Sequence, residues 1–375
     1  MKDLKQCREE IDDIDQQIIA LFEKRMHVAK DVVQYKIANQ MEIFQAKREQ
    51  QVIEKNVKRI KDDNLKEYAK IFIQNMMNIS KTYQASFLSD DKHYELSSPC
   101  FDQAVIGFQG VPGSFSQQAL HQFFGKDAKS RNYKDFKDVF EALQNDEIQY
   151  GIVPLENSST GAINDNYDLI RDYGFYIVGE QSLSISQHLL GIQESREEDI
   201  VEVYSHPQGL LQCSQYLRQH PNIHKRECEN TALAAQYIAD QKDVRLGAIA
   251  SYEAAKIYNL KVLKENIQNV KSNTTRFIIF SKQLEKTEDA MCVSTVFTLN
   301  HEVGALHEVM KIISNHQLNM LRIESRPIID TPWEYFFYVD FEGSLDDSKV
   351  ISALEDMKAH TNTFKLLGNY AKRKA

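Results

Sequence analysis

The first cation that stands out by its position is Arg25, which falls on an apolar seam where Leu or Ile is expected. An unpaired buried guanidinium is very unfavourable, so Arg25 predicts either an anionic ligand or a structural pair with an acidic residue on a neighbouring helix. Lys36 follows three helical turns later and shares that face. The rise between the two is ~16 Å, so both side chains leaning inward could grip one small dianion.

Arg8 lies on the same predicted helix, ~25 Å from Arg25 along its axis. It cannot serve the Arg25 site within one chain. Arg8 is therefore either an ordinary surface residue or a residue that reaches a site on a second chain.

Polar side chains also cluster beside short β-rich runs in the middle of the chain. The segment GVPGSFS at 110–116 leads from a predicted strand into a helix, whose N-terminal amides could bind an anion. PLENSSTGAIND at 154–165 follows a buried strand, the position where open α/β sheets bind ligands. SNTTRFIIF at 272–280 places Thr274, Thr275 and Arg276 just before another strand.

Two residues of this region have open roles. Glu156 could act as a general acid if burial raised its pKa, or it could cap neighbouring amides. His206, in YSHPQ at 204–208, could do acid–base work or hold a turn before Pro207. The sequence alone leaves both alternatives standing.

The sequence contains no recognisable metal-binding pattern. Neither HExxH nor CxxC occurs, and Pro221 interrupts the pair His220 and His224. The five cysteines are odd in number and scattered, which argues against a disulfide framework and for a reducing, cytoplasmic environment. We expect neither a metal nor a cofactor.

Residues 1–88 must position the basic residues, and they predict three helices. The first begins with an Asp3–Gln6 capping box and carries a heptad seam from Leu4 to Tyr35. At ~50 Å it is too long for its short partners to cover, so we expect a second chain to cover it. A second helix is predicted from Gln45 to Lys61, and a third is capped by Asn64 with Glu67.

After a polar linker at 89–102 the pattern changes to short apolar runs that alternate with helices. Such runs occur at 104–108, 150–154, 175–179, 201–205, 246–250 and 276–280, and they predict a two-lobed α/β domain with a mostly parallel sheet. A second linker, 282–289, precedes strand 292–299, helix 304–315, strands 318–328 and 334–342, helix 346–359 and strand 363–370. This βαββαβ order is ferredoxin-like.

Bulk properties exclude several functions. Hydrophobic residues make up 42% and charged residues 26%, as in globular proteins. The formal net charge of −9 argues against a nucleic-acid partner. No apolar run approaches the ~20 residues of a membrane span, and the N-terminus is too polar for a signal peptide, so we expect no membrane association.

The helical segment resembles the all-helical chorismate mutases over residues 4–87. The residues that carry the resemblance, by order and approximate spacing, are Arg8, Arg25, Lys36, Arg48, Glu49, Ser80 and Gln84. The resemblance implies an intertwined dimer with two shared sites, and therefore a homodimer or a higher homo-oligomer.

It also implies roles for these residues. Arg25, Arg48 and the other chain's Arg8 would hold the substrate carboxylates. Lys36 and Gln84 would hydrogen-bond the ether oxygen, Glu49 would bind the ring hydroxyl, and Ser80 would line the pocket. Gln45 departs from the Asp that some members carry, although its amide can still bind the hydroxyl.

Residues 103–282 resemble prephenate dehydratases. The resemblance rests on ENSSTG at 156–161, SHPQ at 205–208 and TRF at 275–277. It implies a periplasmic-binding-protein-like fold with the site between two lobes. Thr275 would assist departure of the ring hydroxyl, and Arg276 would anchor or position the substrate. Further substrate-binding candidates are Glu156, Asn157, Ser158, Thr160 and Gln208.

The C-terminal segment resembles the ACT domains attached to prephenate dehydratases, through GALHEVM at 304–310 and IESRP at 323–327. The resemblance implies an allosteric phenylalanine site between paired domains. Its residues would be Gly304, Ala305, Leu306, Glu324, Ser325 and Arg326. A plain dimerisation module is the alternative.

Together these resemblances divide the chain into a mutase domain at 1–90, a dehydratase domain at 103–282 and an ACT domain at 291–371. They imply a bifunctional enzyme that converts chorismate to prephenate and prephenate to phenylpyruvate, inhibited by phenylalanine. The alternatives are an arogenate dehydratase that uses the same site, and a non-catalytic amino-acid-binding sensor.

Overall fold

The computed structural model of the chain describes residues 3–39, 46–85, 87, 94–328, 331 and 333–373. Contacts divide the chain into two compact units. The first comprises residues 1–94, 312–317 and 346–359, and the second comprises residues 95–311, 318–345 and 360–375. None of the helices in the described ranges is long and apolar enough to cross a bilayer.

The N-terminal part of the first unit consists of helices α1 (Leu4–Ala38), α2 (Ala46–Val57) and α3 (Lys66–Ala85). The predicted capping box is confirmed, because Gln6 N donates to Asp3 Oδ1 at 2.8 Å and Asp3 N donates to Gln6 Oε1 at 3.3 Å. The predicted Asn64 cap is wrong. The Asp62 carboxylate instead caps the 3-10 turn Asp63–Leu65, which leads into α3. The second helix ends at Val57, short of the predicted Lys61.

The dehydratase-like region alternates strands and helices. Its strands are β1 (Val105–Gln109), β2 (Lys129–Tyr133), β3 (Tyr150–Asn157), β4 (Gly161–Ala162), β5 (Tyr176–Ser184), β6 (His188–Gly191), β7 (Glu202–Ser205), β8 (His224–Glu227), β9 (Leu246–Ala250), β10 (Lys261–Lys264) and β11 (Thr274–Ser281). Its helices are α4 (Phe115–Phe124), α5 (Phe136–Gln144), α6 (Asn164–Asp172), α7 (Pro207–Gln212), α8 (Ser214–Gln219), α9 (Thr231–Gln241) and α10 (Tyr252–Ile257).

These elements build two lobes, as predicted. The first lobe contains a sheet of order β5-β11-β3-β1-β2, and the second contains a sheet of order β10-β6-β9-β7-β8. The chain passes from the first lobe to the second after β5 and returns before β11, so the second lobe is an insertion in the first. The expected mostly parallel sheet is wrong, since β11 runs antiparallel to both β3 and β5, and β6 runs antiparallel to β9 and β10.

The C-terminal segment follows the predicted βαββαβ order. Its elements are β12 (Cys292–Thr298), α11 (Ala305–Asn315), β13 (Met320–Pro327), β14 (Tyr335–Glu342), α12 (Ser348–Ala359) and β15 (Thr363–Tyr370), followed by β16 (Lys372–Arg373). The sheet order is β13-β14-β12-β15, and β16 extends the first-lobe sheet beside β5. Residues of this sheet, among them Cys292, Val296, Tyr338 and Tyr370, share one hydrophobic core with the first lobe.

Candidate functional sites

The first candidate site lies on α1 around Arg25. Arg25 is half-buried beside the buried Met26 and Ala29, and its Nη1 is buried with no hydrogen-bond partner among the described residues. Burial lowers the pKa of the guanidinium from its ordinary value, but arginine stays protonated. A buried donor of this kind is unfavourable until an acceptor arrives, and the arrangement suits an incoming carboxylate.

Helix α3, which packs against both α1 and α2, contributes Ser80 and Gln84. Ser80 is buried, and Gln84 Nε2 donates to Ser80 Oγ at 3.1 Å across one helical turn. This hydrogen bond fixes the amide of Gln84 on the α3 surface. The two predicted site residues, Ser80 and Gln84, are therefore held together by a hydrogen bond.

The structure does not gather the whole predicted mutase set within one chain. Arg8 is exposed near the start of α1, Lys36 is half-buried near its end, and Arg48 is exposed on α2. Glu49 belongs to α2, but its side chain lies outside the described part of the structure. Gln45 also lies outside the described residues.

The apolar seam of α1 remains exposed in the single chain. Leu4, Ile11, Leu21 and Tyr35 are each more than half exposed. The exposed apolar side chains of α3 include Ile71, Phe72 and Ile79. Contiguous exposed apolar side chains of this extent are typical of a protein–protein interface.

The second candidate site is a cleft of about 160 Å³ between the two lobes. Strand ends and helix starts from both lobes line it. The lining residues are Gln109, Ser114, Phe115, Ser116, Pro154, Asn157, Ile163, Ile185, Gln187, His206, Gln208, Gly209, Gln212, Asn230, Thr231, Thr275 and Phe277.

Asn157 and Thr275 form the polar centre of this cleft. They are paired residues on the antiparallel strands β3 and β11, and both are buried. Asn157 Nδ2 donates to Thr275 Oγ1 and to Asn273 Oδ1, each at 2.8 Å. Asn157 Oδ1 accepts from the backbone amides of Ser159 and Thr160, at 2.9 and 3.2 Å, which fixes the orientation of the carboxamide.

This arrangement directs the chemistry of Thr275. Its oxygen accepts a hydrogen bond from Asn157, so its own proton is left to be donated to another acceptor. Thr275 lines the cleft, so a bound molecule can receive that proton. A threonine hydroxyl held in this way can act as a hydrogen-bond donor to a molecule in the cleft.

The two charged candidates beside this pair point away from the cleft. Arg276 lies between Thr275 and Phe277 on an extended strand, and since those two line the cleft, its side chain projects from the opposite face. It contacts Glu180 at 3.2 Å and Asp340 at 3.0 Å. The structure therefore places the Arg276 side chain on the face of the strand opposite the cleft lining, paired with carboxylates.

Glu156 precedes Asn157 and also projects from the far face. Its carboxylate lies 3.4 Å from Arg322 and 3.9 Å from Arg276. It is not among the residues that line the cleft. The sheet geometry thus separates both Glu156 and Arg276 from the residues that line the cleft.

The remaining predicted residues of the loop support Asn157. Ser158 Oγ accepts from Thr274 N at 2.9 Å, and Thr160 Oγ1 donates to Asn157 Oδ1 at 3.3 Å. Both are exposed residues outside the cleft lining. Their hydrogen bonds hold the loop rather than face the cavity.

Gln208 and His206 do line the cleft, at the start of α7. His206 Nδ1 accepts from Gln208 N at 3.2 Å, so the histidine caps this helix. Burial lowers the pKa of His206, which makes the neutral ring the dominant form at neutral pH. Acceptance at Nδ1 then places the ring proton on Nε2.

Sequence reasoning singled out the helix start within 110–116 that contains Ser114, but it missed other lining residues, among them Asn230. Ser114 caps α4 by accepting from Gln117 N, and Asn230 caps α9 by accepting from Leu233 N at 2.7 Å. A polar cap followed by an apolar run was the available signal for both. The amides at the start of one helix from each lobe therefore border the cleft. No Lys, Arg, Asp or Glu is found among the described lining residues.

The third candidate region is the predicted phenylalanine site. Gly304 has a φ of +85° immediately before α11, a conformation that favours glycine, and the half-buried Ala305 and Leu306 follow it. Glu324, Ser325 and Arg326 lie on β13, the edge strand of the C-terminal sheet.

The charged members of this motif already have protein partners. Arg326 Nη2 binds Asp168 Oδ2 on α6 at 2.9 Å, and Glu324 lies 3.9 Å from Arg322. Ser325, between them, is exposed. No three His, Cys, Asp or Glu side chains within the described ranges are grouped so as to hold a metal ion.

Comparison with protein families matches three regions in order. The family model described as Chorismate mutase type II matches residues 7–85, Prephenate dehydratase matches residues 106–285, and ACT domain matches residues 293–359. The structure of a prephenate dehydratase in complex with L-Phe from Arthrobacter aurescens is similar with a TM-score of 0.65 and 28% identity, over 72% of this chain and 90% of that one.

Two curated relatives match across almost the whole chain. The bifunctional chorismate mutase/prephenate dehydratase of Aquifex aeolicus is 32% identical over 99% of both chains. The protein of the same description from Escherichia coli K12 is 31% identical over 97% of this chain and 95% of that one. The chain belongs to the bifunctional chorismate mutase/prephenate dehydratase family.

Proposed function

We propose that the two reactions of this family take place at two separate sites of the chain. The enzyme is an isomerase that rearranges chorismate to prephenate and a lyase that converts prephenate to phenylpyruvate in phenylalanine biosynthesis. The helical unit would carry the first reaction and the cleft between the lobes the second. The division is supported best by a half-buried arginine on α1, whose Nη1 has no hydrogen-bond partner among the described residues, together with a prearranged hydroxyl donor in the cleft.

In the mutase site, Arg25 would bind a substrate carboxylate with the Nη1 that has no hydrogen-bond partner in the described structure. The rearrangement breaks a C–O bond and forms a C–C bond within one molecule, so it requires no nucleophile. Catalysis would come from holding the compact conformer and from donors near the ether oxygen, where charge develops. Gln84, already held by Ser80, and Lys36 are the proposed donors.

We infer that this site needs a second copy of the chain. Arg8 is ~25 Å from Arg25 along a continuous helix, which is too far for one small substrate. The exposed seam of α1 supplies an apolar surface that a second α1 can cover. Arg8 of one chain would then complete the site of the other, together with Arg48 and Glu49. The distance between Arg8 and Arg25 and the exposed seam of α1 therefore both favour a dimer with shared sites.

In the dehydratase cleft, Thr275 would donate its proton towards the departing ring hydroxyl. The ring carboxylate leaves as carbon dioxide, its bonding electrons enter the ring, and the C–OH bond breaks to release water. The leaving oxygen gains the proton that completes water from solvent, and the Thr275 hydroxyl, which Asn157 orients towards the cavity, would donate the hydrogen bond that stabilises it. The neutral His206, with its proton on Nε2, is a second donor at the cleft.

The two carboxylates of the substrate would bind to backbone amides and neutral side chains. The starts of α4 and α9 lie on opposite lobes and offer donors that favour negative charge. A lining without Asp or Glu offers no counter-charge to an ammonium group. The cleft therefore favours the keto acid prephenate over the amino acid arogenate.

Phenylalanine regulates the enzyme, and we place its binding at the C-terminal sheet. Gly304, Ala305 and Leu306 would contact the amino acid from one side and residues 324–326 from the other. Because Glu324 and Arg326 already contact protein groups, Ser325 is the side chain of that motif most open to a ligand. The scattered free cysteines agree with a cytoplasmic location.

A purified chain supplied with chorismate alone tests this function. Prephenate should appear first and phenylpyruvate second, with no added metal or cofactor. A non-catalytic sensor would leave chorismate unchanged.

A further inference from the structure

The Arg276 side chain links the floor of the cleft to the C-terminal sheet. Its Nη1 binds Asp340 Oδ2 on β14 at 3.0 Å and Glu180 Oε2 on β5 at 3.2 Å. Only 14% of the Arg276 side chain, 8% of Asp340 and 6% of Glu180 is exposed. These ion pairs are insulated from solvent, so removal of one carboxylate leaves the buried Arg276 cation with less compensating charge.

Asp340 is itself held in a fixed position. The Ser294 hydroxyl donates to Asp340 Oδ1, and the Tyr370 hydroxyl lies 2.7 Å from the Ser294 hydroxyl. Burial, the largest single effect, would raise the pKa of Asp340, but the charges of Arg276 and Arg322 and the hydrogen bonds from Ser294 and Arg276 together hold that pKa below its ordinary value. Asp340 is therefore a buried carboxylate with defined partners at both oxygens.

Thr275 and Asn157 form the centre of the cleft, and the residue next to each of them in sequence contacts the C-terminal sheet. Arg276 follows Thr275 and binds Asp340, while Glu156 precedes Asn157 and lies 3.4 Å from Arg322 of β13. Arg276 and Glu156 are also paired across β11 and β3, as Thr275 and Asn157 are. The pair Thr275 and Asn157 therefore faces the cleft. The adjacent pair, Arg276 and Glu156, contacts the C-terminal sheet.

We propose that Asp340 is a positioning residue of the dehydratase site, which acts through Arg276 on the placement of Thr275. The inference rests on the proposed role of Thr275. A small displacement of the β11 backbone would turn the Thr275 hydroxyl away from the substrate. A misplacement of about 1 Å in a catalytic group can reduce the rate by about 100-fold. Asp340 touches no substrate, so its contribution belongs to turnover and not to binding.

The test compares Asp340→Asn in the full chain with Glu342→Gln as a matched control. Glu342 lies two residues further along β14 and is exposed. Asp340→Asn should lower the dehydratase kcat by about tenfold to 100-fold with little change in KM. Glu342→Gln should stay within about twofold of the unmodified enzyme in both. Thermal unfolding well above the assay temperature, and unchanged mutase activity, identify a folded variant.

A double-mutant cycle separates positioning from general damage. If Asp340 acts through Arg276, the pair Asp340→Asn and Arg276→Gln should lose little more kcat than the more severe single variant. Ser294→Ala, which removes one donor to Asp340 and keeps its charge, should lower kcat in the same direction by a smaller factor. If Asp340→Asn does not fold, the dehydratase kcat of Ser294→Ala by itself tests the proposal.

The proposal is overturned if folded Asp340→Asn or Ser294→Ala retains the kcat of the unmodified enzyme, or if the losses at 340 and 276 are independent. Failure of the proposed dehydratase function gives a different result. In that case the unmodified chain itself would produce no phenylpyruvate from prephenate.

Discussion

Asn157 Nδ2 donates a 2.8 Å hydrogen bond to Thr275 Oγ1 across the antiparallel strands β3 and β11. This contact joins two motifs that are 118 residues apart in the chain. With its oxygen accepting this bond, the threonine hydroxyl can donate its proton in a hydrogen bond to an acceptor in the cleft.

Asn157→Asp tests that relationship with almost no change of shape. A carboxylate cannot donate to Thr275 Oγ1 and would itself accept the threonine proton, which turns the proton away from substrate. We expect the dehydratase kcat to fall by about 100-fold or more, as for loss of a preorganised donor. Asn164→Asp, an exposed substitution at the start of α6, controls for the added charge and should leave kcat unaltered. If Asn157→Asp and Asn164→Asp had equal kcat values, Asn157 would have no role in the dehydratase reaction.

Arg25→Gln should abolish most mutase activity. The variant loses a charged donor with no described protein partner, and we expect a loss of ~3 kcal/mol or more in transition-state stabilisation. The measurement is mutase kcat/KM, with Lys24→Gln, one exposed position earlier on α1, as control. Chelation with EDTA should have no effect. A fully active Arg25→Gln enzyme would show that Arg25 is structural.

Mixing two inactive variants tests the shared site. Arg8→Ala and Arg25→Ala homodimers should both lack mutase activity. A co-refolded heterodimer has one site missing both arginines and one site with both intact, so it should recover about half of the normal activity. If heterodimers form and recover nothing, Arg8 serves its own chain or no site.

Substrate choice tests the neutral lining of the cleft. Prephenate and arogenate differ by a keto against an ammonium-bearing side chain. An ammonium that meets no carboxylate loses hydration without compensation, so we expect kcat/KM for prephenate to exceed that for arogenate by about tenfold or more. Competition between the two substrates in one reaction measures the ratio directly. A preference for arogenate would require an acidic group at the bound amine.

Local sequence patterns predicted many of the helices and strands. They failed for features that are determined by contacts between residues far apart in the sequence. The Asp3–Gln6 capping box and the βαββαβ order depend on neighbouring residues, and both are confirmed. The antiparallel direction of β11 depends on strands far away in sequence, and the prediction of a mostly parallel sheet missed it. Only the observed pairing tells that Thr275 faces the cleft while Arg276 faces Asp340.

The lining of the cleft illustrates the same limit. Thr275 and Asn157 belong to recognisable motifs, whereas Gln187 and Gln212 enter the cleft only because two lobes meet there. The helix caps Ser114 and Asn230 had a local signal, but their convergence on one cavity had none.

The most direct test of two independent sites supplies chorismate to Thr275→Ala and follows both products. The substitution removes the proposed hydrogen-bond donor to the leaving oxygen and leaves the helical unit untouched. If the two sites are independent, chorismate is consumed at the normal rate and prephenate accumulates, with phenylpyruvate formation reduced by about 100-fold or more. Normal phenylpyruvate formation, or parallel loss of both reactions in a folded variant, would contradict it.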